Sequence, residues 1–239
     1  YPIPRDRDNA LFYSNGVIPA FAKLTFMKHL SGFKKSSSGL KRLNGKAWLF
    51  DKTFLNELDR ATWKKIIADF QHGLPDAVIE KAVRLLPPEV FARDGALIID
   101  KLKKRRDGLM EHALDYYEFI SEQVTVKGSN EEEIFVATTD PANNLVITMY
   151  RGKNGKRQKK LYERRFAAGE THILHLEGFD GNDHFITDQQ AASRTRIRFF
   201  GGNGADTYSL KGDIRSEVID TTSEKNIVLD SRSAKIRFQ

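Results

Sequence analysis

The chain has 239 residues, long enough for one large domain or two modest ones with real cores. Hydrophobic residues make up 40% and charged residues 30%, with Gly and Pro together about a tenth, which excludes collagen-like, coiled-coil and wholly disordered chains. Lys and Arg number 39 against 32 Asp and Glu, a formal charge of +7, but the excess is spread: 21 basic against 16 acidic residues up to residue 123, and 18 against 16 beyond it. A spread excess is poor ground for a nucleic-acid partner. There is no cysteine, so disulfides, thiolate catalysis and Cys-ligated zinc are excluded. Any metal must sit on oxygen ligands, which favours Mg²⁺ or Ca²⁺. No window approaches the ~18 uninterrupted apolar residues of a transmembrane helix.

The opening, Tyr1-Pro2-Ile3-Pro4-Arg5-Asp6, has neither Met nor a signal peptide and reads as an internal stretch of a longer protein. Ser31–Lys46 is rich in Ser, Gly and Lys and reads as a mobile loop. A helix is expected from Asp51, an N-cap type of residue, with Phe54, Leu55 and Leu58 on one face. Ala61–Phe70 repeats the pattern through Trp63, Ile66, Ile67 and Phe70, with Gly73 as the stop. Pro75 suits a first turn before Val78, Ile79, Ala82, Val83 and Leu86, and Pro87-Pro88 ends that run. The spacing of Ile98, Leu102, Leu109, Ala113, Tyr117 and Ile120 predicts one long helix over Asp94–Gln123, weakened at Gly108.

Beyond residue 123 the period shortens to that of strands. Ile134–Thr138 and Leu145–Arg151 flank Asp140-Pro141-Ala142-Asn143-Asn144, and Lys160–Phe166 follows a hairpin turn at Gly152-Lys153-Asn154-Gly155. Apolar clusters then centre near Leu174, Phe185, Ile197, Tyr208, Ile219, Val228 and Arg237. Steps of about ten residues suggest a sandwich or a β-solenoid. Helices followed by strands, without alternation, predict an α+β chain: a helical N-terminal region, 1–123, then an all-β solenoid-like or sandwich region, 124–239.

Four features could carry chemistry. In Ile3–Phe12, Asp6 and Asp8 are separated by one side chain and could aim two carboxylates at a hard cation; the alternative is a solvated turn paired to Arg5 and Arg7. Gly201-Gly202-Asn203-Gly204-Ala205-Asp206-Thr207-Tyr208-Ser209 fits the nonapeptide Gly-Gly-x-Gly-x-Asp-x-U-x at every fixed position. Gly178-Phe179-Asp180-Gly181-Asn182-Asp183-His184-Phe185-Ile186 is a second copy, with Phe179 in place of the second Gly. Glycines let carbonyls turn inward and Asp supplies a charged oxygen, so Asp180, Asn182, Asp183, Asn203 and Asp206 are candidate Ca²⁺ ligands. The plain alternative is a turn in which Asp caps backbone amides. The copies lie 23 residues apart and can face one another only if each rung is about that long.

The hairpin Arg151–Arg165 holds eight basic residues, with Tyr150 and Tyr162 nearby; it reads either as a polyanion-binding surface or as an edge guarded by charge against aggregation. Lys101–Arg106 reads as a solvated helix face. His172 and His175 fall on opposite faces of a strand and make no metal pair. No Ser-His-Asp arrangement, P-loop or nucleotide-binding glycine motif is present.

Three resemblances follow. Pro4–Phe12 resembles the metal-binding aspartate segment of the CotH-like spore-coat protein kinase family. The segments "LDKTFLNEL", "WKKIIADF" and "KLKKRRDGL" are similar to the helices that follow it there. This implies that 1–123 is the end of a kinase-like lobe, with Asp6 and Asp8 as Mg²⁺ ligands. Arg5 stands where the family has Trp, and the nucleotide-binding half would lie upstream. The Gly/Asp turns resemble calcium-binding RTX turns. The whole chain resembles the middle region of long bacterial proteins that place a metallophosphoesterase before such a segment and an outer-membrane surface-antigen barrel after it.

The expected function is a non-catalytic structural or interaction module of a larger bacterial cell-envelope protein, stabilised by Ca²⁺ and lying in the periplasm or at the cell surface. The alternatives are a fragment of a kinase-like phosphotransferase using Mg²⁺ in the full-length protein, and a polyanion-binding module working through 151–165. Other domains of the same longer chain and an unnamed protein are the expected partners; nucleic acid is disfavoured.

Overall fold

The computed structural model describes residues 11, 21, 32–36, 39, 47–221, 225–232 and 234–238. The chain divides into two compact units. One comprises Tyr1–Trp48 with Arg60–Tyr117; the other comprises Leu49–Asp59 with Glu118–Gln239. Most of Ser31–Lys46 lies outside the described residues. No described helix is long and apolar enough to cross a membrane.

From Trp48 onward the helices among the described residues are, in chain order, α1 (Trp48–Phe54), α2 (Arg60–Gly73), α3 (Asp76–Val83), α4 (Pro88–Val90), a π-helical turn at Phe91–Gly95, α5 (Ala96–Asp107) and α6 (Leu109–Ser121). Asp51 lies inside α1 rather than at its start, since Trp48 already begins the helix. Pro75 precedes α3 with φ −63°, and Pro87 precedes α4. The single helix expected over Asp94–Gln123 is instead α4, the π turn, α5 and α6. Helical structure begins early at Pro88, takes one wider turn, and breaks at Gly108 (φ −82°, ψ 2°), which caps α5.

Ile67, Ile79 and Val83 are buried in the helical unit, and the rings of Trp63 and Tyr117 lie 5.4 Å apart. The Lys101–Arg106 run is not the solvated face expected. Lys101 is 8% exposed and donates to the Phe33 carbonyl. Lys103 contacts Asp76 (2.9 Å) and Glu80 (2.7 Å), while Arg106 donates to the Leu74 carbonyl and to Asp76. These positions clamp α5 to α3 because the acidic first turn of α3 faces them. The pairing holds the Asp76 carboxyl below its ordinary value, through the hydrogen bonds from Lys103 and Arg106. An apolar cavity of about 330 Å³ remains among Phe70, Leu74, Val78, Ile79, Ala82 and Leu102.

Among the described residues the β unit has eleven strands: β1 (Gln123–Lys127), β2 (Glu133–Thr139), β3 (Leu145–Lys153), β4 (Lys156–Phe166), β5 (Ile173–Asp180), β6 (His184–Thr187), β7 (Ala192–Asn203), β8 (Thr207–Leu210), β9 (Asp213–Asp220), β10 (Ile227–Ser231) and β11 (Ala234–Phe238). All seven apolar centres expected from Leu174 to Arg237 fall inside strands. The first sheet has the order β1-β5-β7-β9-β11 and the second β10-β8-β6-β2-β3-β4. From β5 onward successive strands alternate between the sheets. Neighbours are parallel throughout, except for the antiparallel β2-β3-β4 ribbon.

This register puts like beside like. Val126, Leu176, Phe199 and Val218 form one buried row across the first sheet, each 1% exposed or less. Phe135, Phe185, Tyr208 and Val228 form the matching row across the second. The rings of Phe135 and Phe185 stack at 5.0 Å, those of Phe185 and Tyr208 at 5.1 Å, and Phe199 meets Phe185 edge-on at 5.4 Å. Phe185, with ring contacts on three sides, is the centre of the core. We expect Phe185→Ala to cost about 3–5 kcal/mol in denaturant unfolding, more than Val228→Ala at the partly buried end of the row. Equal losses would contradict this ranking.

Candidate functional site

The two Gly/Asp turns join β5 to β6 and β7 to β8, and they lie side by side. Phe179 pairs with Gly202, and Asp180 with Asn203, at the 23-residue offset that separates the sequence copies. Two further positions are equivalent: Glu133 at the start of β2, and Asn226 just before β10. Neither carries the nonapeptide pattern, so sequence reasoning missed Glu133 and Asn226; the signal that could have found them is their place two residues before Phe135 and Val228, as Asp183 and Asp206 precede Phe185 and Tyr208.

These four positions form a ladder. The Glu133 N–H donates to Asp183 Oδ1 (2.7 Å), the Asp183 N–H to Asp206 Oδ1 (2.7 Å), and the Asp206 N–H to Asn226 Oδ1 (2.8 Å). Each side chain therefore accepts from the backbone one pass earlier. Asp183 and Asp206 are wholly buried and Glu133 is 1% exposed. Glu133 is itself held by the N–H (2.8 Å) and hydroxyl (2.6 Å) of Ser129. Asp183 Oδ2 is buried without a hydrogen-bond partner.

The glycines follow from this close stacking. At Gly202 (φ +101°) and Gly204 (φ +133°) a Cβ would run into the carbonyl oxygens of Phe179 and Gly181 in the neighbouring turn. At Gly178 a Cβ would strike Asp183 Oδ2, and at Gly201 it would strike Asp206, Tyr208 and Asp220. Phe179 departs from the pattern at a cost, since it holds φ +78° as a non-glycine residue with its ring 43% exposed.

Burial pushes the Asp183 carboxyl up to about 8; the Glu133 amide opposes this, and the nearby acids Asp206, Glu133 and Glu132 reinforce it. Tyr208 donates to Asp220 Oδ2 (2.7 Å), and burial and that bond push its phenol well above the ordinary value.

The structure divides the five candidate calcium ligands. Asp183 and Asp206 are inside, while Asp180, Asn182 and Asn203 are exposed on the rim. The rim residues bond across the turns: Asn203 Nδ2 donates to Asp180 Oδ1 (2.8 Å), and the Ala205 N–H donates to Asn182 Oδ1 (2.9 Å). Among the described residues no group of three His, Cys, Asp or Glu side chains is placed to hold a metal. The Asp183 Oδ2, buried without a hydrogen-bond partner, is a feature that fits a cation. Asp6 and Asp8 lie outside the described residues. His172 is exposed, whereas His175 is half-buried against the Phe200 ring at 5.3 Å.

Ala at position 202 or 204 should lower stability by about 1–3 kcal/mol, while Phe179→Gly should stay within about 1 kcal/mol of the parent. Tolerance of both alanines in urea titrations would remove the close-approach argument. A second expectation concerns pH. Because the folded Asp183 carboxyl titrates far above its unfolded value, its stabilisation is complete in acid and is lost as pH rises to about 8. Asp183→Asn keeps an acceptor for the Glu133 amide, as Asn226 does for Asp206, and should flatten the curve by up to about 1.4 kcal/mol per pH unit. An unchanged slope between pH 5 and 8 would assign the dependence to another group.

Comparison of the chain with family models, with curated proteins and with solved structures finds no match.

Proposed function

We propose that this chain is a non-catalytic structural or interaction module of a larger bacterial cell-envelope protein, and that its β unit is a two-sheet parallel solenoid. The observation that carries this reading is the Glu133–Asp183–Asp206–Asn226 ladder. In it the most conspicuous polar residues of the chain serve the backbone of the neighbouring pass rather than an open site. The alternation of strands between sheets and the filled interior support it. An array of this kind holds a fixed length and presents its outer surface, with stability arising between neighbouring passes. The envelope location and the other domains as partners rest on the resemblance to the long bacterial proteins. The kinase-like alternative rests on the resemblance of Pro4–Phe12, with Asp6 and Asp8, and of the helical segments that follow it.

Calcium stabilisation is a second reading, favoured by the buried Asp183 Oδ2. Asp183 and Asp206 would supply the charged oxygens, and Ca²⁺ would neutralise the buried acids; six to eight oxygens are required in all.

Amide hydrogen exchange tests the structural reading. The N–H groups of Glu133, Asp183 and Asp206 should be protected as strongly as those of Leu176 and Phe199 in the core strands; exchange at open-loop rates would overturn it. Thermal unfolding in millimolar Ca²⁺ against EDTA tests the second. Calcium at about 100 times its Kd should add about 2.7 kcal/mol, abolished in Asp183→Asn, and equal curves would leave a metal-free ladder. Phosphoryl transfer from ATP that disappears in Asp6→Ala with Asp8→Ala would establish the kinase-like alternative instead.

A further inference from the structure

The β3–β4 ribbon extends beyond what the core of the β unit uses. Along β4, Tyr162, Arg164 and Phe166 are buried in alternation, but every residue from Lys156 to Leu161 is exposed. Over those six residues neither face of the strand is covered by described residues. β4 also ends its sheet, so its outer edge carries backbone donors and acceptors with no neighbouring strand among the described residues.

The ribbon is heavily and unevenly charged. Lys160 pairs with Glu163 (2.8 Å) and Arg165 with Asp140 (3.4 Å). Among the described residues, Arg151, Lys153, Lys156, Arg157 and Lys159 have no acidic partner within ion-pair distance; Arg157 rests on the Tyr150 ring instead. Lys153 and Lys156 sit directly opposite one another, a like-charge pair that weakens the hairpin. Charge guards an edge against aggregation, and the same five cations, without acidic partners among the described residues, offer a surface to an anionic ligand.

The ribbon is also held in place. The tip turns through Asn154 (φ +51°) and Gly155 (φ +71°), whose N–H groups donate to the Glu132 carboxylate at 2.9 and 2.8 Å. The Gly152 N–H donates to the Glu132 carbonyl (2.7 Å). A fixed, charged, open strand edge is pre-organised for a ligand.

We propose that the free edge of β4 from Lys156 to Leu161 is a docking site for an acidic, extended peptide segment, which adds as a further strand. The distribution of charge selects this occupant. The register, which is irregular at two points along this stretch, places Arg157 and Lys160 on one face of the ribbon, opposite Gly152 and Tyr150, and Lys156 on the other, opposite Lys153. A strand added at the edge also points its side chains alternately to both faces, so its acidic residues meet both rows while its backbone satisfies the edge. A nucleic-acid duplex or an anionic bilayer would engage one face and leave the other row unused. This proposal does not depend on the turn ladder or on calcium.

The test is fluorescence anisotropy with the 239-residue chain and three labelled probes: a glutamate-rich decapeptide, the same composition with prolines at alternate positions, and a single-stranded DNA oligonucleotide. Phosphatidylglycerol vesicles are added as a competitor. The decapeptide should bind at 50 mM salt and weaken several-fold by 200 mM. It should weaken by about tenfold or more in Lys153→Glu/Lys156→Glu/Arg157→Glu/Lys159→Glu, and the proline peptide should bind at least about tenfold more weakly. Circular dichroism and the melting curve of the variant report whether it folds. If it does not, Lys156→Gln with Lys159→Gln takes its place, with a loss of about threefold expected. The proposal is overturned if the decapeptide does not bind at 50 mM salt or ignores the charge changes. It is likewise overturned if the proline peptide binds equally well, or if DNA or vesicles bind more tightly.

Discussion

A buried backbone N–H needs an acceptor, and most of what distinguishes the β unit follows from how its turns meet that requirement. Inside a strand the neighbouring strand supplies the partner. At the turn, where the chain leaves one sheet for the other, no strand is available, and the next pass provides an Asp or Asn side chain instead. The acceptor must come from a short side chain two residues before the row residue of its own strand, as Asp183 stands to Phe185, Asp206 to Tyr208 and Asn226 to Val228, so the ladder and the strand register fix one another. The same register brings Phe135, Phe185 and Tyr208 into one stack. The polar ladder and the aromatic row are two readings of one spacing.

That solution has a cost, which falls on the carboxyls. An amide acceptor does the work of the ladder without charge, as Asn226 demonstrates at the last position. Asp183 does it with a group that burial drives toward the neutral form, and with other acids, Asp206 among them, near. The glycines of the nonapeptide then have a plain steric origin. Gly202 and Gly204 lie against the carbonyls of the preceding turn, and Gly178 and Gly201 lie against the buried carboxyls. Phe179 shows where the constraint relaxes, for there the chain accepts a positive φ and leaves the ring in solvent.

Much of this was legible in the sequence, and the rest was hidden for identifiable reasons. Apolar periodicity located α2, α3 and every strand from β5 to β11, because those elements bury one face against a continuous core. The Gly/Asp turns were visible because their glycines are obligatory. The equivalent turn at Gly128–Glu133 was not, since Ser129 and the acids around it satisfy the same geometry with different residues. The long helix was misread because its apolar stripe continues through Gly108 while its backbone does not. Lys101–Arg106 was misread because composition cannot reveal that Asp76 and Glu80 lie opposite. The assignment of Leu49–Asp59 to the β unit, with Asn56 donating to the Thr125 carbonyl, rests on long-range contacts that no local pattern encodes.

The ladder also has a direction. Every acceptor reaches back to an amide made earlier in the chain, and none reaches forward. During synthesis each turn therefore waits, with a donor unmet, until the following pass has left the ribosome and folded against it. Asn226, the last described member, is itself held by its Nδ2 donating to the Thr221 carbonyl. In this sense the polar closure of each turn is retroactive, supplied by a residue that comes later in the chain.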